Sequence, residues 1–95
     1  MGFKALKMKV GVGPKDDIKL IEAVRGGIGD NFRFMVDANH GYTTHDALYV
    51  GRAMEEFSPY WFEEPVAPED LDGYRELRAF LKVCLLYTSP SPRDS

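Results

Sequence analysis

The sequence predicts an α/β fold: a sector of a TIM-type (β/α) barrel, about three consecutive β-α units with parallel strands. Two observations predict it. Apolar stretches ending in Lys7-Met8-Lys9, Asp37-Ala38-Asn39 and Glu63-Glu64-Pro65 recur at nearly even intervals, with helix-period sequence between them. The connections are short, and alternating strands and helices with short links call for a parallel sheet with right-handed crossovers.

The first strand runs over residues 5–10. Side chains alternate along a strand, so Lys7 and Lys9 share one face while Leu6, Met8 and Val10 share the other. Gly11-Val12-Gly13 turns the chain, and Pro14 suits a first helical position. Asp16 and Asp17 favour the positive end of that helix. Ile18, Ile21, Val24 and Ile28 give the helix its apolar stripe, and Gly26, Gly27 and Gly29 loosen and end it. A second strand over 32–39 groups Met35, Asp37 and Asn39 opposite Phe34, Val36 and Ala38. The second helix opens at Thr43 or Thr44, where Thr43 and Asp46 resemble a capping box. It buries Ala47, Leu48, Gly51, Met54 and Phe57 and stops at Ser58-Pro59. A third strand over 60–63 puts Trp61 and Glu63 on one face. The third helix begins near 68–70 and buries Leu71, Tyr74, Leu77 and either Phe80 or Leu81.

Residues 84–95 break this pattern, with two prolines and no periodicity. They read as one frame of a transposase-type sequencing adapter, so this tail is expected to be non-native and is set aside in reading the fold. A complete β/α barrel takes about 200 residues or more, whereas the chain has 95. The chain is therefore expected to be a fragment.

Composition excludes several classes. A formal charge of −3 with scattered lysines and arginines disfavours nucleic-acid binding. No apolar run approaches the roughly 20 residues that span a bilayer, and the start lacks a signal-peptide core, so a cytoplasmic location without membrane partners is expected. Cys84 is the single cysteine, which excludes an internal disulfide and a cysteine-based zinc site.

The polar residues at the strand ends suggest a chemistry. Asp37 and Glu63 offer hard carboxylate oxygens, the ligands that Mg²⁺ prefers. A divalent ion aimed at an enediolate lowers the barrier to removing a proton alpha to a carboxylate. Two ammonium groups about 4 Å apart repel by roughly 4 kcal/mol at an effective dielectric of 20, which depresses the pKa of one of them. Lys9, nearer the rim, is then the candidate general base, with Lys7 tuning it and attracting the substrate carboxylate. Asn39 is a candidate for the metal shell or substrate, and His40 for substrate hydroxyls or proton transfer. His45 reads as a surface residue and Trp61 as barrel filling. A Schiff-base aldolase using Lys7 or Lys9 is the alternative chemistry, and an inactive truncation the alternative to any activity.

The segments Gly2-Phe3-Lys4-Ala5-Leu6-Lys7-Met8-Lys9-Val10-Gly11, Met35-Val36-Asp37-Ala38-Asn39 and Trp61-Phe62-Glu63-Glu64-Pro65 together resemble the enolase superfamily, in its mandelate racemase/muconate lactonizing enzyme type. The resemblance covers residues 1–83 and implies barrel strands two to four. It implies Lys9 as base and Asp37 and Glu63 as Mg²⁺ ligands, with the third ligand, a second base and a capping domain outside this chain. The run from Asp37 to Tyr42, followed by Trp61 to Val66, is most similar to acid-sugar cycloisomerases, those of galactarolactone type among them, and to acid-sugar dehydratases. The substrate implied is a small carboxylate, a sugar acid or its lactone, and the parent enzyme is expected to be homo-oligomeric.

Overall fold

The computed structural model describes residues 4–29 and 32–86. Strand β1 (Lys4–Lys9) leads to helix α1 (Pro14–Ile28), β2 (Phe32–Asp37), α2 (Thr44–Met54), a 3-10 turn (Glu55–Phe57), β3 (Trp61–Glu63), α3 (Leu71–Phe80) and β4 (Leu85–Leu86). The strands lie in the order β1-β2-β3-β4, every pair parallel. Helix α1 packs on α2 and α2 on α3, so consecutive β-α units stand side by side.

Burial follows the strand alternation where the helices cover the sheet. Phe34, Val36, Ala38 and Phe62 are buried with Ile21, Ala47, Val50, Met54 and Leu77 from the helices. In α2 the buried stripe is Ala47, Val50, Gly51 and Met54, a strict i, i+3, i+4, i+7 pattern, with Leu48 and Phe57 only partly buried. Gly51 lets the helix approach the chain beyond α3 closely, because an added Cβ would stand 2.6 Å from Leu81 Cδ1.

Several expectations are corrected. Leu71 is 64% exposed rather than buried. Asp70 caps α3 by accepting a bond from the Gly73 N–H at 2.9 Å, which puts Leu71 in the first, outward turn. Gly73, Tyr74 and Leu77 form the inner face, and Leu81 rather than Phe80 closes it. Leu6, on the apolar face of β1, is 37% exposed because β1 is an edge strand of the described sheet.

Leu85 and Leu86 form a fourth strand, with the Phe62 N–H donating to Cys84 O at 2.8 Å and the Glu64 N–H to Leu86 O at 2.7 Å. Edge pairing of this kind uses backbone groups alone, so a segment without side-chain periodicity can still complete a ladder. Residues 87–95 of the expected tail lie outside the described residues.

Arg25 clamps the amino end of the sheet. Its guanidinium donates to the carbonyls of Phe57 (2.8 Å), Gly29 (2.8 Å), Phe32 (3.0 Å) and Ser58 (2.8 Å) and lies 4.4 Å from the Phe34 ring centroid. Four carbonyls from three segments thus converge on one planar fork, a geometry that lysine cannot reproduce. Arg25→Lys is expected to destabilise the chain by about 2 kcal/mol, read as a lower urea midpoint; an unchanged midpoint would count against the clamp.

Candidate active site

The register of the parallel ladder aligns the strand ends. Lys9 pairs with Asp37 and Asp37 with Glu63, so these three occupy one row; Lys7, Met35 and Trp61 form the row two residues earlier. Partners in a parallel ladder point to the same face, and side chains two apart share it, so both lysines and both acids belong to one side of the sheet. Helices cover the other side.

Within this group Lys7 makes the contacts. Its Nζ lies 3.0 Å from Glu63 Oε1 and 3.9 Å from Asp37 Oδ2, and its side chain is 45% exposed. The hydrogen bond to Glu63 raises the Lys7 pKa above the ordinary value of 10.5; desolvation opposes the rise, and the charges of Glu63, Asp37 and Glu64 add to it. Attraction to carboxylates therefore outweighs any effect of Lys9 at this ammonium. Lys9 itself is exposed and makes no ion pair among the described residues. Trp61 Nε1–H donates to the same Glu63 Oε1 at 3.2 Å, so the indole also orients the carboxylate.

The loop after β2 is built by backbone bonds. Asp37 Oδ1 accepts from the Asn39 N–H at 2.8 Å, and Asn39 and His40 adopt φ of 51° and 49°. Asparagine tolerates this left-handed region better than most residues. Strand alternation ends at Asp37, so the turn, rather than the expected continuation of the strand, sets the position of Asn39. The His40 N–H donates to Glu64 O and the Tyr42 N–H to Pro65 O, tying this loop to the one after β3. Both Asn39 and His40 are exposed at the rim.

Asp17 and Tyr42 form a buried pair beside the rim loops that sequence reading missed. Asp17, read as a dipole-favoured first-turn residue, is 3% exposed. Its Oδ2 accepts from the Gly11 N–H (3.0 Å), the Gly13 N–H (3.2 Å) and the Tyr42 hydroxyl (2.6 Å). Burial first, and the bond to Asp17 second, push the Tyr42 pKa far above its ordinary 10.0, so the hydroxyl keeps the proton that it donates. Gly11 and Gly13, six and four residues before an aspartate, were the available signal; the partner 25 positions away carried none.

His45 is exposed, as expected, and lines a groove of about 540 Å³ with Gly13, Pro14, Lys15, Asp16, Asp46 and Tyr49. None of the two lysines and two acids at the strand ends lines it.

The donor chemistry of the rim suits a hard cation. Asp37 and Glu63 already share one positive group in Lys7, so their oxygens reach a common charge. The described residues hold no set of three His, Cys, Asp or Glu side chains able to grip a metal. Two carboxylates fit part of the octahedral shell of Mg²⁺, which fills the remainder with waters, substrate oxygens or further acids.

Comparison with known proteins identifies the family of the chain. The family model "Enolase C-terminal domain-like" matches residues 1–88. The D-galactarolactone cycloisomerase of Agrobacterium fabrum is 50% identical over 78 residues, 82% of this chain and 21% of that protein. The crystal structure of the 3,6-anhydro-D-galactonate cycloisomerase from Zobellia galactanivorans superposes with a TM-score of 0.87 at 48% identity, covering 90% of this chain and 24% of that one. A racemase from Streptomyces coelicolor, solved with bound magnesium, gives a TM-score of 0.84 at 38% identity over 90% of this chain and 24% of that one. The chain thus spans between a fifth and a quarter of the length of these relatives. It is a four-stranded sector of a TIM-type barrel and belongs to the enolase C-terminal domain-like family, in the mandelate racemase/muconate lactonizing enzyme type of the enolase superfamily.

Proposed function

We propose that this sector belongs to a Mg²⁺-dependent isomerase or lyase that removes the proton alpha to a carboxylate, with a sugar acid or its lactone as substrate. The observation that carries the reading is the single row of Lys9, Asp37 and Glu63 at the strand ends, with the Lys7 ammonium reaching both acids from the row behind. The similarity to two cycloisomerases of galactose-derived acids supports the substrate class and favours cycloisomerisation or dehydration as the outcome. A cytoplasmic location is part of the same proposal; among the described residues no helix is long and apolar enough to cross a membrane.

In this mechanism Asp37 and Glu63 would hold the metal, together with ligands from outside this chain. When bound, Mg²⁺ supplies positive charge opposite the enediolate that deprotonation creates. Lys9 Nζ takes the alpha proton, which needs its neutral form at the moment of transfer. Lys7 adds a fixed positive charge beside the acids and draws the substrate carboxylate to the rim. Trp61 keeps Glu63 oriented through its indole N–H. Asn39 and His40, exposed at the rim in a turn held by Asp37 and Glu64, are proposed to meet the substrate hydroxyls.

Residues 1–83 supply two acidic ligands and one base, and residues 84–95 are proposed to be foreign to the enzyme. The purified 95-residue chain is therefore expected to show no turnover and only weak Mg²⁺ affinity, with a dissociation constant on the order of millimolar or weaker by calorimetry. Micromolar binding or catalysis by the chain alone would remove the need for further strands.

In the complete enzyme, exchange of the alpha proton of galactarate in D2O is expected to require Mg²⁺ and to stop on chelation. Lys9→Met is expected to slow it by roughly 10²–10⁴-fold. Exchange that survives chelation, or covalent trapping of Lys7 or Lys9 by borohydride with a carbonyl substrate, would replace this reading with Schiff-base chemistry.

A further inference from the structure

The geometry points to Asp17, acting with Tyr42, as a positioning residue: its carboxylate straps the loop after Lys9 to the loop that carries Asn39 and His40. This inference rests on the reading of the rim as an active site. Asp17 is not a helix cap in the usual sense. The cap of α1 is Gly13, which has no side chain to offer, and the Asp17 N–H makes the ordinary helical bond to Gly13 O at 2.8 Å. The carboxylate instead folds back, and a single oxygen gathers two backbone donors from one loop and a hydroxyl from the next.

Each bond constrains a segment beside a rim residue. Gly11 lies two positions beyond Lys9, and the Val10 N–H between them makes a ladder bond to Asp37 O at 2.9 Å. Tyr42 lies two positions beyond His40; its N–H reaches Pro65 O at 3.1 Å, and its ring meets Phe62 edge-on at 6.3 Å. The strap thus runs from α1 through the β1–α1 and β2–α2 loops to the β3–α3 loop, linking all three strand ends of the proposed site. The loops it joins touch backbone to backbone: a Cβ on Gly11, whose φ is +110°, would lie 2.7 Å from Ala38 O, and one on Gly41 would lie 3.0 Å from Gly11 O. Such contact leaves no slack for a side chain but sets no direction of its own; the three bonds to Asp17 do.

The strap touches neither the two lysines nor the two acids, so its effect on reaction is through placement. Misplacing a reacting group by about 1 Å can cost about a hundredfold in rate, while ground-state binding through the metal ligands is left intact. In the complete enzyme, Tyr42→Phe and Asp17→Ala are expected to lower kcat for alpha-proton exchange of galactarate by about tenfold or more with KM within about twofold. Asp17→Asn keeps an acceptor oxygen and is expected to recover kcat to within about threefold, and Asp16→Asn, an exposed change one position earlier, to leave it unaltered. Where Asp17→Ala fails to fold, Tyr42→Phe, which deletes one oxygen atom, carries the test. Unchanged kcat in folded Tyr42→Phe, a loss confined to KM, or no recovery from alanine to asparagine overturns the strap. A wild-type enzyme that exchanges no alpha proton overturns the functional reading instead. The strap is then decided by amide hydrogen exchange in the 95-residue chain. Gly11 and Gly13 are expected to exchange about tenfold faster in Asp17→Ala, with Val36 unchanged, and equal rates overturn it.

Discussion

The parallel pairing of β1, β2 and β3 is the constraint on which the site depends. Because the register matches Lys9 with Asp37 and Asp37 with Glu63, three side chains separated by 54 positions of sequence share one row of one face. A slip of one residue would turn one member of the row into the helix-covered side. Buried Phe34, Val36 and Phe62 resist that slip, since each would have to exchange a dry contact for a place among charges. The hydrophobic core and the polar rim are therefore two faces of the same pairing decision.

The charge balance at the rim follows from that geometry. Two carboxylates side by side repel, and a cation between them relieves the repulsion. Lys7 serves this purpose in the chain as folded here, at the cost of only partial withdrawal from solvent. Under the proposed function the same two carboxylates would hold a divalent ion, with Lys7 as its like-charged neighbour.

Much of this was legible in the amino-acid pattern, for physical reasons. Period-2 and period-3.6 apolar spacing located β1, β2, β3 and the three helices, because burial on one face dictates both. The grouping of both lysines with Asp37 and Glu63 on one side followed from alternation and the parallel β-α order, whereas the ion pairs of Lys7 with both acids did not. What escaped was what depends on distance through space or on backbone alone. Tyr42 and Asp17 meet across 25 positions, a pairing no local pattern announces. The short strand at Leu85 pairs through carbonyl and amide groups that every residue has. Leu71 was assigned inward because it fits a helical stripe, whereas the Asp70 cap rotates the first turn outward. Asn39 was placed by strand alternation, but its positive φ shows that the turn had already begun.

Arg25 has a consequence for how such a protein can change. By gathering the carbonyls of Gly29, Phe32, Phe57 and Ser58, it seals the amino end of the sheet with contacts that involve none of the rim loops. The clamp and the row of Lys9, Asp37 and Glu63 thereby lie at opposite ends of the strands. Exposed side chains at the carboxyl end, such as those of Asn39 and His40, can change without loosening that far end.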